Sequence, residues 1–272
     1  LTLKRSELAK KADWCRRETI RLHRRCPETR LASSLSCVEL LTVLFYGGVL
    51  RFDAQNPLWE GRDRFIVSKG HGSISFYPIL ADLGFFPARE LELIGGEDGI
   101  LKVIPDTAIP GYETINGSLG HGLGVACGVA KGLLEKSGDR KVFVLLGDGE
   151  LNEGSVWEAI MFAGHHKLHN LVLVIDNNGG SMLDFCRNIL DLAPVGEKLR
   201  GFGWEAAAVD GHDTGALASA FEKCAKSAGG APTAIIANTV KGKGVPMLEK
   251  DPLSHVRMLT AEQADAALEG LG

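Results

Sequence analysis

Four short apolar runs constrain this chain more than any other feature: FIVS at 65–68, VFVLL at 142–146, LVLVI at 171–175 and AIIA at 234–237. Each is rich in β-branched residues or bounded by turn chemistry, and helical patterns lie between them. One helical pattern covers residues 4–25 and ends before Pro27. A second runs from Ser36, read as its cap, to Gly47, and a third from about Ser155 through Lys167. Strands alternating with helices predict an α/β fold, a parallel sheet flanked by helices on both faces. The 34 glycines concentrate between strands and helices, as loops that let backbone approach a ligand require.

The 272 residues show neither an internal repeat nor a low-complexity linker. The expectation is one domain over 1–272, with a helical segment at about 1–60 packed on the α/β core. A formal charge of -4 gives no electrostatic case for nucleic acid or an anionic membrane. No apolar run approaches the roughly 20 residues of a membrane helix. The six cysteines (15, 26, 37, 127, 186 and 224) include no C-x-x-C pair. They read as reduced thiols in a cytoplasmic protein. The chain begins at Leu1 without an apolar signal core, so an initiator or short leader is expected ahead of it.

The run at 142–146 passes directly into GDGELNEG, residues 147–154, which sets one carboxylate between two glycines. Strand, GDG, then helix places Asp148 at the carboxyl end of a strand, the edge of an open α/β sheet where ligands bind. The next strand ends in Asp176-Asn177-Asn178-Gly179-Gly180. The two ends can bring together Asp148, the Asn178 amide oxygen and a nearby backbone carbonyl. Three such oxygens suit magnesium holding a diphosphate. The glycines let backbone N–H groups reach phosphate oxygens. Asp-Gly is also ordinary turn chemistry, and the pairing with the DNN stretch is what argues against that bland reading.

GDG with thirty residues from Asp148 to Asn178 resembles the thiamine-diphosphate motif, and four further segments narrow the resemblance to the transketolase family. They are SKGHGSISFYPILADLG (68–84), INGSLGHGLGVACGVA (115–130), AGHHKLHNLVLVIDNN (163–178) and KGKGVP (241–246). The resemblance spans roughly residues 15–260. It is to the N-terminal, diphosphate-binding half, as in families where the enzyme is split into two polypeptides. It implies that Asp148, Asn178 and the Gly180 carbonyl hold magnesium or another divalent cation such as calcium, with Gly149 against the diphosphate. It implies His71 and His255 at the cofactor phosphates, in catalytic positions. Gly117, Leu119 and Gly120 match the loop whose backbone meets the aminopyrimidine ring. Glu153 matches a catalytic-network acid near the dimer interface, and a helix N-terminal charge complementing the dipole explains it equally well.

Three other features carry less. His165, His166 and His169 lack the carboxylate of an H-E-x-x-H zinc pattern. KGKG lacks the Walker spacing and its Ser/Thr. GSLGHG has the glycine spacing of a dinucleotide fingerprint reversed, with no strand before it.

Thiamine catalysis needs a glutamate at N1′ of the aminopyrimidine, which promotes loss of the thiazolium C2 proton so that this carbon attacks a ketone. In the family that glutamate lies in a second, pyrimidine-binding domain. The expectation is therefore that this subunit is inactive alone and is completed by a transketolase C-terminal-type partner in an α2β2 assembly. Two departures bear on the donor. Family members usually carry a Gly-His pair where this chain has Thr29-Arg30. A second family histidine before Pro-Asp appears here as Ile104 in VIPD (103–106). An isoleucine favours a methyl over a hydroxymethyl group, and an arginine can bind a carboxylate bidentately. The leading reading is one half of a split transketolase-like enzyme moving a two-carbon ketol unit from a ketose to an aldehyde. The alternatives are a carboligase drawing an acyl unit from a 2-oxo acid such as pyruvate, and a cofactor-binding regulatory subunit without catalysis.

Overall fold

In the computed structural model, residues 2–115, 117–136, 138–226 and 230–271 are described; Asn116 of the INGSLGHG segment lies outside them. The chain runs α1 (Arg5–Arg25), α2 (Leu31–Leu35), α3 (Val38–Tyr46), β1 (Arg64–Val67), α4 (Phe76–Leu83), α5 (Gly122–Glu135), β2 (Val142–Gly147), α6 (Gly154–His165) and β3 (Leu171–Asn177). It continues through α7 (Cys186–Ile189), α8 (Val195–Gly201), β4 (Glu205–Asp210), α9 (Thr214–Lys226), β5 (Thr233–Asn238), α10 (Pro246–Glu249) and α11 (Ala261–Gly270). The strands form one sheet in the order β1-β2-β3-β5-β4, with every neighbouring pair parallel.

Alternation along the buried strands divides the core into two layers. Phe143, Leu145, Val172, Val174 and Ile235 face one side, where residues of α1, α3, α4 and α9 cover them. Val142, Val144, Leu146, Leu171, Leu173 and Ile175 face the other, beneath α5, α6 and α8. A smaller apolar cluster joins α1 and α2 to α10 and α11 through Ile20, Leu31, Leu35, Leu248 and Ala264. The N-terminal helices are thus packed on the sheet.

The four expected strands are all present, each within a residue or two of its expected bounds. A fifth, β4, carries no apolar signal. Its EAAAVD sequence lies at the sheet edge and stays largely exposed, so alanine there needs no β-branched replacement. Ser36 does not cap the start of the second helix; it closes α2 as its C-cap. The backbone is already helical over Leu31–Leu35, α3 begins at Val38, and the Ser36 hydroxyl instead donates to Asp176 Oδ2 at 2.6 Å. The helix expected to reach Lys167 ends at His165, and Lys167 turns out of it with φ 50°. Among the described residues no helix is long and apolar enough to cross a membrane.

Candidate cofactor site

Gly147, the last residue of β2, is in register with Asp176 of β3. This register brings the two polar stretches together. Asp148 opens a 3-10 turn directly after β2, and Asn178 follows β3 by one residue. Asp148, Gly149, Asn178 and Gly180 line a cavity of about 300 Å³. His71, His255, Gly117 and Leu119 line the same cavity, and so do Arg30 and Ile104. Ten positions singled out in the sequence therefore meet in one place.

Gly120 and Glu153 are not among its walls. Gly120 takes φ +88° and packs against Glu153, where a methyl group would come within 2.8 Å of the Glu153 Cβ. Glu153 itself is exposed and precedes the first turn of α6. This chain alone does not bring its carboxylate to the cavity.

The Asp148 carboxylate is nearly buried and held by backbone donors. Gly149 N–H donates to Oδ1 at 2.9 Å and Gly179 N–H to Oδ2 at 2.5 Å. Burial first, then the nearby Asp176 charge, push its pKa up to about 6 despite those donors. Such a group gains from a cation. Asn178 Oδ1 accepts from Gly180 N–H at 3.0 Å, and Asn178 Nδ2 donates to Asp176 Oδ2 at 3.1 Å, which fixes the amide orientation. The Gly180 carbonyl accepts from the Lys241 ammonium at 2.8 Å, as the Ser181 carbonyl does at 2.7 Å. A carboxylate, an amide oxygen and a carbonyl are the oxygen donors that a hard divalent ion such as magnesium or calcium takes, with the Lys241 ammonium occupying the Gly180 carbonyl in this structure.

Beneath this set lies an ion pair unmarked in the sequence reading. Lys69, two residues after β1, is 2% exposed and bonds Asp176, which is fully buried. Burial alone would lower the Lys69 ammonium, but Asp176 outweighs it and raises the pKa. Burial would raise Asp176, and Lys69 with its hydrogen bonds depresses it instead. Lys69 Nζ also donates to the Ser33 carbonyl at 2.8 Å, tying α2 to the sheet end. Lys241 is lowered to about 8, by burial first and then by Lys69.

The histidines sit with ring centroids 4.8 Å apart. Burial first, then neighbouring positive groups, lower His71 to about 3 and His255 to about 4, so both are neutral near pH 7. The Ser33 hydroxyl engages His255 Nδ1 at 3.2 Å, which leaves Nε2 for a ligand. Glu150 is 1% exposed and accepts from the Ser68 hydroxyl and from Gly120 N–H at 2.9 Å. It thereby anchors the 117–120 loop over the cavity. Lys69, Lys241, Ser33 and Glu150 were all missed in sequence. The two lysines stand beside the glycines of SKGHG and KGKG, where in sequence they look like solvated turns, and Ser33 carries no signal of its own.

The family model "Transketolase, thiamine diphosphate binding domain" matches residues 31–272. The chain is 37% identical to one of the apulose-4-phosphate transketolase subunits of Actinobacillus succinogenes, covering 97% of this chain and 96% of that protein. It is equally identical to a 6-deoxy-6-sulfo-D-fructose transketolase subunit of a Clostridium species, over 89% and 87% of the two chains. The solved transketolase of Campylobacter jejuni superposes with a TM-score of 0.92 at 29% identity. That match covers 99% of this chain but 43% of the other. The chain belongs to the transketolase family, as a thiamine-diphosphate-binding domain.

Proposed function

We propose that this chain is the cofactor-holding subunit of a two-chain transketolase that moves a two-carbon ketol unit from a ketose donor to an aldehyde acceptor. The observation that carries the reading is the single cavity in which Asp148, Asn178, Gly180, His71, His255 and Gly117 converge. Thiamine diphosphate bound there supplies a nucleophilic carbon able to add to a ketone carbonyl. Asp148, Asn178 and the Gly180 carbonyl would hold magnesium, or calcium, against the diphosphate. Gly149 lies beside it, its N–H turned to Asp148 Oδ1, and Lys241 adds positive charge. Neutral His71 and His255 can each hold or accept one proton at a ring nitrogen beside the reacting groups. Gly117 and Leu119 line the cavity where the aminopyrimidine ring would lie, and Gly120, held by Glu150, ends that loop outside the cavity walls.

The catalytic glutamate at the pyrimidine belongs to a transketolase C-terminal-type partner, with which this chain forms an α2β2 assembly in the cytoplasm. Exposed Glu153, next to the pyrimidine loop, then joins a carboxylate network across the interface between paired sites. Subunit names among the relatives support a divided enzyme. Reconstitution tests it. The purified chain with its partner, thiamine diphosphate and magnesium is expected to turn over a ketose and an aldehyde, and neither chain alone is. Tight cofactor binding by the assembly without turnover of any ketose would replace this reading with that of a regulatory subunit.

A further inference from the structure

A polar chain runs through the interior from α1 and α3 to the turn that carries Lys241. Arg16 of α1 and Glu39 of α3 are both buried, and Arg16 Nη2 bonds Glu39 Oε1. Glu39 Oε2 accepts from His212 Nδ1 at 3.0 Å. Burial would raise the Glu39 carboxyl, but the His212 hydrogen bond and the Arg16 charge outweigh it and lower the pKa, so the group is an anion. His212 lies between β4 and α9, and its Nε2 accepts from Val240 N–H at 2.8 Å. A backbone N–H can only donate, so Nε2 is bare and the ring's one proton sits on Nδ1, facing Glu39. Glu39 thus selects the tautomer that can hold Val240.

Both ends of this chain close on one turn. His212 takes the Val240 N–H, and the Lys243 carbonyl accepts from Arg16 Nη1 at 2.8 Å. Between them Lys243 N–H donates back to the Val240 carbonyl at 3.2 Å, and Gly242 N–H donates to the Ala32 carbonyl of α2 at 2.9 Å. Lys241 is the residue that this turn presents to the cavity, with its ammonium on the Gly180 and Ser181 carbonyls. A lysine side chain loses much conformational freedom when it is ordered in a wall. Backbone fixed on either side of it narrows the region that its ammonium can reach. Arg16, Glu39 and His212 do not line the cavity themselves, so they reach it only through Lys241.

We propose that Glu39 and His212 are positioning residues for cofactor binding: Glu39 fixes the His212 tautomer, His212 holds Val240, and the turn so held sets Lys241 at the diphosphate end of the cavity. The inference rests on the reading of the cavity as a thiamine-diphosphate site. The chemistry of the pair dictates which substitutions keep it. A glutamine at 212 can donate to Glu39 through its amide nitrogen and accept from Val240 N–H through its oxygen, whereas a leucine can do neither. Glu39→Gln keeps the shape and breaks the logic. Its single amide oxygen cannot accept from Arg16 and from His212 as two carboxylate oxygens do. An amide N–H turned to His212 Nδ1 would move the ring proton to Nε2, where it meets the Val240 N–H.

The test titrates thiamine diphosphate calorimetrically, with magnesium, into the two-chain assembly carrying wild-type, His212→Leu, His212→Gln, Glu39→Gln or Lys241→Met chains, and into the His212→Leu, Lys241→Met double variant. Lys241→Met should weaken binding about 10-fold or more, as loss of a charge-assisted hydrogen bond implies, and His212→Leu and Glu39→Gln should approach that loss. His212→Gln should stay within about 3-fold of wild type, since it keeps both hydrogen bonds. A role in stability alone would lower the unfolding midpoint of the assembly without cofactor and leave these affinities unlinked to Lys241. The double variant separates the two roles: once Lys241 is gone, His212→Leu should change affinity by less than about 2-fold, because both act through one group. Wild-type affinity in folded His212→Leu, or the same loss from it in both backgrounds, would overturn this inference alone. Where His212→Leu does not assemble, the isosteric pair decides. Weak binding by Glu39→Gln beside tight binding by His212→Gln upholds the inference, and equal affinity in these two overturns it. Failure of the wild-type assembly to bind thiamine diphosphate would instead overturn the cofactor reading, and this inference with it.

Discussion

At the scale of single residues, the site depends on how few buried charges are left uncompensated. Lys69 and Asp176 compensate each other in the core beneath the cavity. Replacing Lys69 with methionine strands the Asp176 carboxylate, and removing one partner of such a pair costs about 3–5 kcal/mol. Urea unfolding should show that loss, and a double variant Lys69→Met, Asp176→Leu should recover part of it. His23 gives a second residue-scale expectation. It is fully buried, bonded to the Thr29 hydroxyl at 2.8 Å, and accepts from Leu259 N–H at 3.1 Å. Burial lowers its pKa from 6.5 to about 4, with partial opposition from Thr29 and Glu28. The unfolded chain therefore binds the proton first. Stability should be complete above about pH 6.5 and fall as pH drops toward 4, with a smaller slope in His23→Gln. His71 and His255 act in the same sense. The pairing of Asp148 with Asn178 could be read from spacing, whereas His71 and His255 were named only through the family resemblance. Lys69 and Glu150 were not, because in sequence a charged residue beside glycine looks like a solvated turn.

At the scale of elements, close approaches of backbone set where helices can sit. Gly164, in the last turn of α6, has the Phe202 carbonyl where a side chain would begin, 1.8 Å from an added Cβ. Gly164→Ala must push α6 away from the α8–β4 connection, and overpacking of this kind costs about 1–3 kcal/mol. A lower midpoint in thermal unfolding, with cofactor affinity affected less than stability, is the expected result, since Gly164 lies outside the cavity. The buried strands β2, β3 and β5 could be read from residues alone because both their faces are covered and both are apolar. Edge strand β4 could not, since nothing apolar distinguishes EAAAVD from a helix or loop. The break between α2 and α3 was hidden for a different reason. Ser36 has the chemistry of a cap, and its choice of Asp176 over a local N–H depends on a residue 140 positions away.

At the scale of the whole molecule, the fold supplies one side of an active site. Its cavity opens where the sheet's carboxyl ends, α2 and the 117–120 loop meet, and Glu153 lies exposed beside that loop. The place of the pyrimidine-side glutamate on another chain was inferred from the resemblance, whereas the pairing of Lys69 with Asp176 beneath the cavity needed coordinates. A partner that covers this face should raise affinity for thiamine diphosphate, because a ligand contacted from both sides is desolvated more completely. Sedimentation of the mixed chains should therefore show an assembly larger than either component, stabilised further when cofactor and magnesium are added. The most direct measurement is calorimetric titration of thiamine diphosphate into the partnered chain, with and without magnesium, for wild type and Asp148→Ala. Saturable, magnesium-dependent binding that weakens at least about 100-fold in the variant, as expected for loss of a charged ligand to the cation, would support the site. Equal affinity in both proteins, or binding indifferent to magnesium, would contradict it.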